Sequence, residues 1–130
     1  MFSFSGQRPD SLGVKDGQLA PAPGTPNCVN SQSDDPQSQI ASLPLKGSAA
    51  ESIEAIAQIV RSTDLAEVIE QSDRYLYAEF TSRLMGFVDD VEFYADEAAN
   101  VLHVRSASRL GKSDLGVNRK RIETIRSQYE

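Results

Sequence analysis

The chain has 130 residues, 39% of them apolar and 25% charged, a balance and length that suit one globular domain. No run approaches the roughly 18 apolar residues that span a bilayer, and the opening stretch MFSFSGQRPDSLG lacks a basic-then-apolar secretory pattern, so a soluble, cytoplasmic protein is expected. The one cysteine, Cys28, excludes an internal disulfide and leaves no Cys/His cluster, so neither a metal nor a cofactor is expected.

The net charge of -6 is unevenly spread. Residues 1–47 hold three basic and four acidic side chains, residues 48–100 hold three and twelve, and residues 101–130 hold seven and three. The basic residues of the last stretch are too few and too close to acidic neighbours for a nucleic-acid surface. Internal pairing with the acidic middle is the simpler expectation.

In chain order, residues 1–47 come first as an irregular arm. All six prolines and five of the eight glycines lie there, a composition that resists regular helix, and about residues 1–15 are expected to be disordered. Residues 48–130 are expected to form an α+β domain. It opens with a helix: Ser48 as N-cap with Glu51 three residues on makes a capping box, and Ile53, Ile56, Ala57 and Val60 recur at helical spacing, ending near Ser62 to Asp64. A short strand near Glu67 to Glu70 follows. RYLYAEFTSRL then alternates, with Leu76, Ala78, Phe80 and Leu84 on one face and Tyr75, Tyr77, Glu79, Thr81 and Arg83 on the other. A turn at Met85–Gly86 leads to strand 87–95, which points Val91 and Phe93 inward and leaves Asp89 inward too, so a bulge or an exposed end is expected there. After a turn at Glu97 to Asn100, the last strand points Leu102, Val104 and Leu110 inward. Residues 117–129 make a second amphipathic helix through Val117, Ile122, Ile125 and Tyr129. The predicted fold is an antiparallel meander of about four strands with both helices on its apolar face.

The other face carries the candidate site. Opposed like charges destabilise a strand pair, which favours a register with Arg83 opposite Asp90 and Phe80 opposite Phe93. In the next hairpin Asp90 then opposes Arg105 and Glu92 opposes His103. Such a ladder reads as a solvated, structural row of charges or as arginine geometry preset for an anion. Arg109 is left without an assigned carboxylate, and guanidinium forks suit carboxylate or phosphate. Tyr75, Tyr77 and Tyr94 would floor such a site. Arg119, Lys120 and Arg121 crowd the first turn of the last helix, where the macrodipole disfavours cations. They are expected to face acidic residues of the sheet, or else to hold an anion beside Asn118.

The blocks PNCVNSQ, AEFTSRLMGFVDDVEFY and VLHVRSASRLGKSDLGVNRKRIETIR resemble the family called domain of unknown function 1499, DUF1499, of bacteria and plant plastids, from about Leu12 to Tyr129. Cys28 falls in what resembles its Pro-Asn-Cys-Val-Ser-Ser block, with Asn30 in place of a serine. Phe87, Asp89, Asp90, Arg105, Ser106, Ser108, Arg109, Ser113, Asp114, Asn118 and Arg121 match its later blocks. The resemblance implies that the Cys28 segment folds back towards Arg105 and Arg109 to half-enclose a polar pocket. It implies no activity. Three functions follow in order: a small anionic ligand on Arg83, Asp90, Glu92, His103, Arg105, Arg109, Cys28 and Asn118; a protein partner or assembly role; and a thiol enzyme using Cys28, for which no placed base is legible.

Overall fold

The structure, a computed structural model, describes residues 6–23, 27–84, 86–111 and 116–130. In chain order it contains β1 (Cys28–Asn30), β2 (Leu43–Pro44), α1 (Ala49–Arg61), β3 (Ala66–Gln71), β4 (Tyr75–Thr81), β5 (Val88–Asp96), β6 (Val101–Ser108) and α2 (Val117–Tyr129). The strands form one antiparallel sheet in the order β1-β6-β5-β4-β3, with β2 also paired to β6. The fold is α+β as expected, but six strands replace about four. The two extra ones are two or three residues long in proline-rich sequence, so they carry no readable alternation.

α1 begins as its sequence predicts. The Ser48 hydroxyl accepts from the Glu51 amide at 3.1 Å, and the Glu51 carboxylate accepts from the Ser48 amide at 3.0 Å. Its apolar stripe of Ile53, Ile56, Ala57 and Val60 is fully buried. It meets Ile122, Ile125 and Tyr129 of α2 and, on the sheet, Leu76, Ala78, Phe80, Val91, Phe93, Leu102 and Val104. Burial of these side chains is the dominant favourable term for the domain.

Several edges of the predicted elements move. β4 ends at Thr81, so Arg83 and Leu84 lie beyond the strand, and Leu84 is 90% exposed rather than inward. Leu110 and Val117 are also exposed, because β6 ends at Ser108 and the first turn of α2 overhangs the core. Asp89 is buried without a bulge: the β5 register runs unbroken, and Arg121 of α2 meets the carboxylate at 2.7 Å. A cation from the facing helix therefore does what a backbone irregularity was expected to do. The turn at Glu97 to Asn100 is present, whereas Met85 and the matched Ser113 and Asp114 lie outside the described residues.

Candidate functional site

Both hairpin registers differ from the expected ones. Glu79 faces Asp90, and Phe80 faces Asp89 rather than Phe93. Asp90 in turn faces Ala107, and Glu92 faces Arg105 rather than His103. Three rows therefore cross the face away from the helices. One runs Cys28, Ala107, Asp90, Glu79; the next runs Asn30, Arg105, Glu92, Tyr77; the third runs His103, Tyr94, Tyr75.

The first row holds two carboxylates side by side, the arrangement that like-charge repulsion argued against. Arg109 resolves it. Its Nε donates to Asp90 Oδ2 at 2.9 Å and its Nη2 to Asp90 Oδ1 at 2.8 Å, and the same Nη2 reaches Glu79 Oε2 at 2.6 Å. The Tyr77 hydroxyl lies 2.5 Å from Asp90 and 2.6 Å from Glu79, so its one proton is set between the two acids. Arg8 adds a second cation at 2.7 Å from Glu79 and lies over the Tyr77 ring. The hydrogen bond to Asp90 raises Arg109 above its ordinary pKa, and burial, then the carboxylates, push Tyr77 up. Burial alone would raise Glu79, but hydrogen bonds from Arg8 and Tyr77 and the charge of Arg109 hold it below the usual carboxylate range. The expectation that Arg109 lacks a carboxylate is thus overturned, and with it the positive excess that favoured an anion. Arg83 lies apart from this cluster: it is exposed, 3.6 Å from Asp64.

The middle row is different in kind. Glu92 is fully buried and Arg105 is 7% exposed, yet their closest approach is 3.8 Å, beyond hydrogen-bond range. Glu92 Oε2 is well served, by the Tyr75 hydroxyl at 2.5 Å and the Gly13 amide at 2.8 Å. Glu92 Oε1 and Arg105 Nε have no hydrogen-bond partner. Burial raises the Glu92 pKa against the opposing effect of those hydrogen bonds and of Arg105.

Residues from the arm roof this face. Leu19 packs with Tyr75 and Tyr77, joined by Leu12 and Val14. Pro21 offers its carbonyl to Arg105 at 3.4 Å, and Ala20 accepts from the Asn30 side chain at 2.8 Å. Beside these contacts the arm shapes a depression of about 250 Å³ that includes Gly13, Lys15, Leu19 and Pro21. Sequence reasoning put Glu79 on this face without counting it in the site, and missed Arg8, Gly13 and Asn30 altogether. Glu79 was legible by strand parity; the arm residues carry no local signal.

The remaining expected members separate. Cys28 is buried on the same face, opposite Ala107. His103 is four residues along β6 from Ala107, roughly 13 Å in an extended strand, so it cannot serve Cys28 as a base without rearrangement. His103 instead meets Ser31 at 3.1 Å and Asp96 at 3.8 Å, and stacks on Tyr94. Asn118 belongs to the opposite, helix-side face. It is fully buried, accepts from Ser106 and Arg121, and donates to Ser108 and the Asn27 carbonyl. Of the cationic first turn, Arg121 does face a sheet acid, Asp89.

Among the described residues no group of three or more His, Cys, Asp and Glu is placed to hold a metal, and no helix is long and apolar enough to cross a membrane. A family model described as protein of unknown function, DUF1499, matches residues 18–129. No curated protein matches the chain in sequence.

Proposed function

We propose that this chain, which belongs to the DUF1499 family, is a binding module for a small carboxylate ligand that carries a neighbouring donor, an α-hydroxy or α-amino acid, at the Arg105–Glu92 pair. One observation carries the reading: a buried donor, Arg105 Nε, and a buried acceptor, Glu92 Oε1, stand in one row without hydrogen bonds. Each such orphan costs about 1–3 kcal/mol. A ligand carboxylate on the guanidinium and a ligand hydroxyl or ammonium on Glu92 would satisfy both at once. The geometry agrees, because the pair offers one unmet donor and one unmet acceptor and so asks for one acceptor and one donor rather than for a bare anion. Gly13 and Pro21 are the arm groups touching this pair, and the arm depression lies beside them. Entry therefore needs only the arm to shift.

The test is calorimetric titration of the whole chain with a panel of α-hydroxy and α-amino acids and their esters. Binding by a free acid, lost in its ester and in Arg105→Gln but retained in the exposed-site variant Arg83→Gln, supports the reading. No heat from any free acid, or equal binding by ester and acid, rejects it, and the pair then serves to hold the arm.

A further inference from the structure

A ligand carboxylate on Arg105 can bring either of two groups to Glu92, a hydroxyl or an ammonium, and the charges buried on this face distinguish them. Asp90, Glu92, Arg105 and Arg109 lie deepest there, none with a side chain more than 8% exposed. Arg109 is committed to Asp90 by hydrogen bonds at 2.9 and 2.8 Å, and towards the rim Glu79 is met by Arg8. His103 in the next row brings no positive charge at pH 7, because burial lowers its pKa. At depth, Arg105 and Glu92 are left to balance each other and whatever joins them.

Glu92 is poorly compensated in that balance. Tyr75 and Gly13 both donate to Oε2, while the Arg105 guanidinium stops 3.8 Å from Oε1. Tyr77, opposite Glu92 in register, is engaged by Asp90 and Glu79. Burial, joined by the Asp90 charge, pushes the Glu92 pKa up against the hydrogen bonds and Arg105. An α-hydroxy acid would place a second carboxylate beside the one guanidinium and offer Glu92 only a neutral hydroxyl, so the covered site would hold a net negative charge away from water. An α-amino acid is a zwitterion at pH 7. Its carboxylate meets Arg105 and its ammonium meets Glu92, so each buried charge gains an opposite one, which offsets the desolvation of the ammonium. The guanidinium and Oε1 stand close enough for the two groups of a single α-carbon to reach both.

We propose that the ligand is a free α-amino acid whose ammonium is held by Glu92, a choice that rests on the Arg105–Glu92 pair being a ligand site. The selectivity is electrostatic: a hydroxy acid of the same shape is rejected because it leaves one carboxylate too many under the arm.

The experiment is calorimetric titration of the whole chain at pH 7 with two matched pairs, L-alanine against L-lactate and L-leucine against L-2-hydroxyisocaproate, whose members differ only in the α substituent. The amino acid is expected to bind at least about tenfold more tightly than its hydroxy partner. Glu92→Gln keeps the shape and an acceptor but removes the charge, so amino-acid binding should fall about tenfold while hydroxy-acid binding rises. A hydroxy acid that binds the unmodified chain as tightly as its amino partner overturns the choice of ammonium and leaves the pair standing as a carboxylate site. Equal loss of both ligands in Glu92→Gln overturns it in the same way; should that variant fail to fold, the unmodified chain decides alone. Amino-acid binding that survives Arg105→Gln rejects the site itself, and with it this assignment, as does silence from all four compounds and from the wider panel of acids.

Discussion

Arg109 shows how one residue reverses a sequence argument. Treated as an exposed, unpaired cation, it would be dispensable for stability. Clamping Asp90 and Glu79, it is the charge that permits two carboxylates to face each other on adjacent strands. Arg109→Ala is therefore expected to lower unfolding stability by about 3–5 kcal/mol, the range for breaking a buried ion pair. Urea titration checks this, and a loss under about 1 kcal/mol would mean that Tyr77 and Arg8 suffice to hold the acids. A double-mutant cycle should likewise couple Asp90 to Arg109 and not to Arg105. His103 supplies a pH test. Burial disfavours the charged ring and Asp96 offsets only part of that, so the folded ring binds its proton less readily than the unfolded one. As pH falls through about 6.5 the unfolded state takes up more protons, and stability drops on acidification. His103→Gln should flatten that part of the pH–stability curve; an unchanged slope between about pH 7 and pH 5 would assign it to other groups.

At the scale of elements, the two faces of one sheet are closed by different means. The helix side is covered by two amphipathic helices whose periodicity is plain in the sequence. The other side is covered by residues 6–23, which form neither a helix nor a strand of the sheet and are fastened by scattered hydrogen bonds, among them Gly13 to Glu92, Arg8 to Glu79, Ala20 to Asn30 and Pro21 to Arg105. Leu19, only 3% exposed, is the main apolar anchor among them. Leu19→Ala should cost about 2–4 kcal/mol if this cover folds with the domain. It should also speed amide exchange at Gly13, whose N–H lies under the cover. Loss of protection at Gly13 with unchanged global stability would instead describe a cover that opens on its own, the motion required for a ligand to reach Arg105.

For the whole molecule, Phe93 measures the core: it is fully buried at the centre of the sheet, opposite Leu76 and Val104. Phe93→Ala is expected to lower stability by about 3–5 kcal/mol in denaturant titration, and a loss below about 1 kcal/mol would place it outside the core. That expectation was legible in the sequence, as were both helices, the capping box at Ser48, and the inward set Leu76, Ala78, Phe80, Val91 and Phe93. Each is a local pattern of period 2 or 3.6, and burying one face is the strongest demand on such a pattern. Parity also identified Glu79, Asp90, Glu92, Arg105 and the tyrosines as sharing the second face. What parity leaves free is register in steps of two, since such a slip keeps every side chain on its face and changes only its neighbours. The choice among those registers was made by groups distant in sequence. Arg109 and Arg8 neutralise a pair of acids, and Arg121 reaches from α2 to Asp89. The arm, from Arg8 to Pro21, seals Arg105 and Glu92 away from water. Away from the element ends, where Leu84, Leu110 and Val117 are exposed, sequence alone determined which residues face the core and which face away from it, because that is a property of local periodicity; which charges meet was decided only by the tertiary structure, because electrostatic partners are chosen by distance in space.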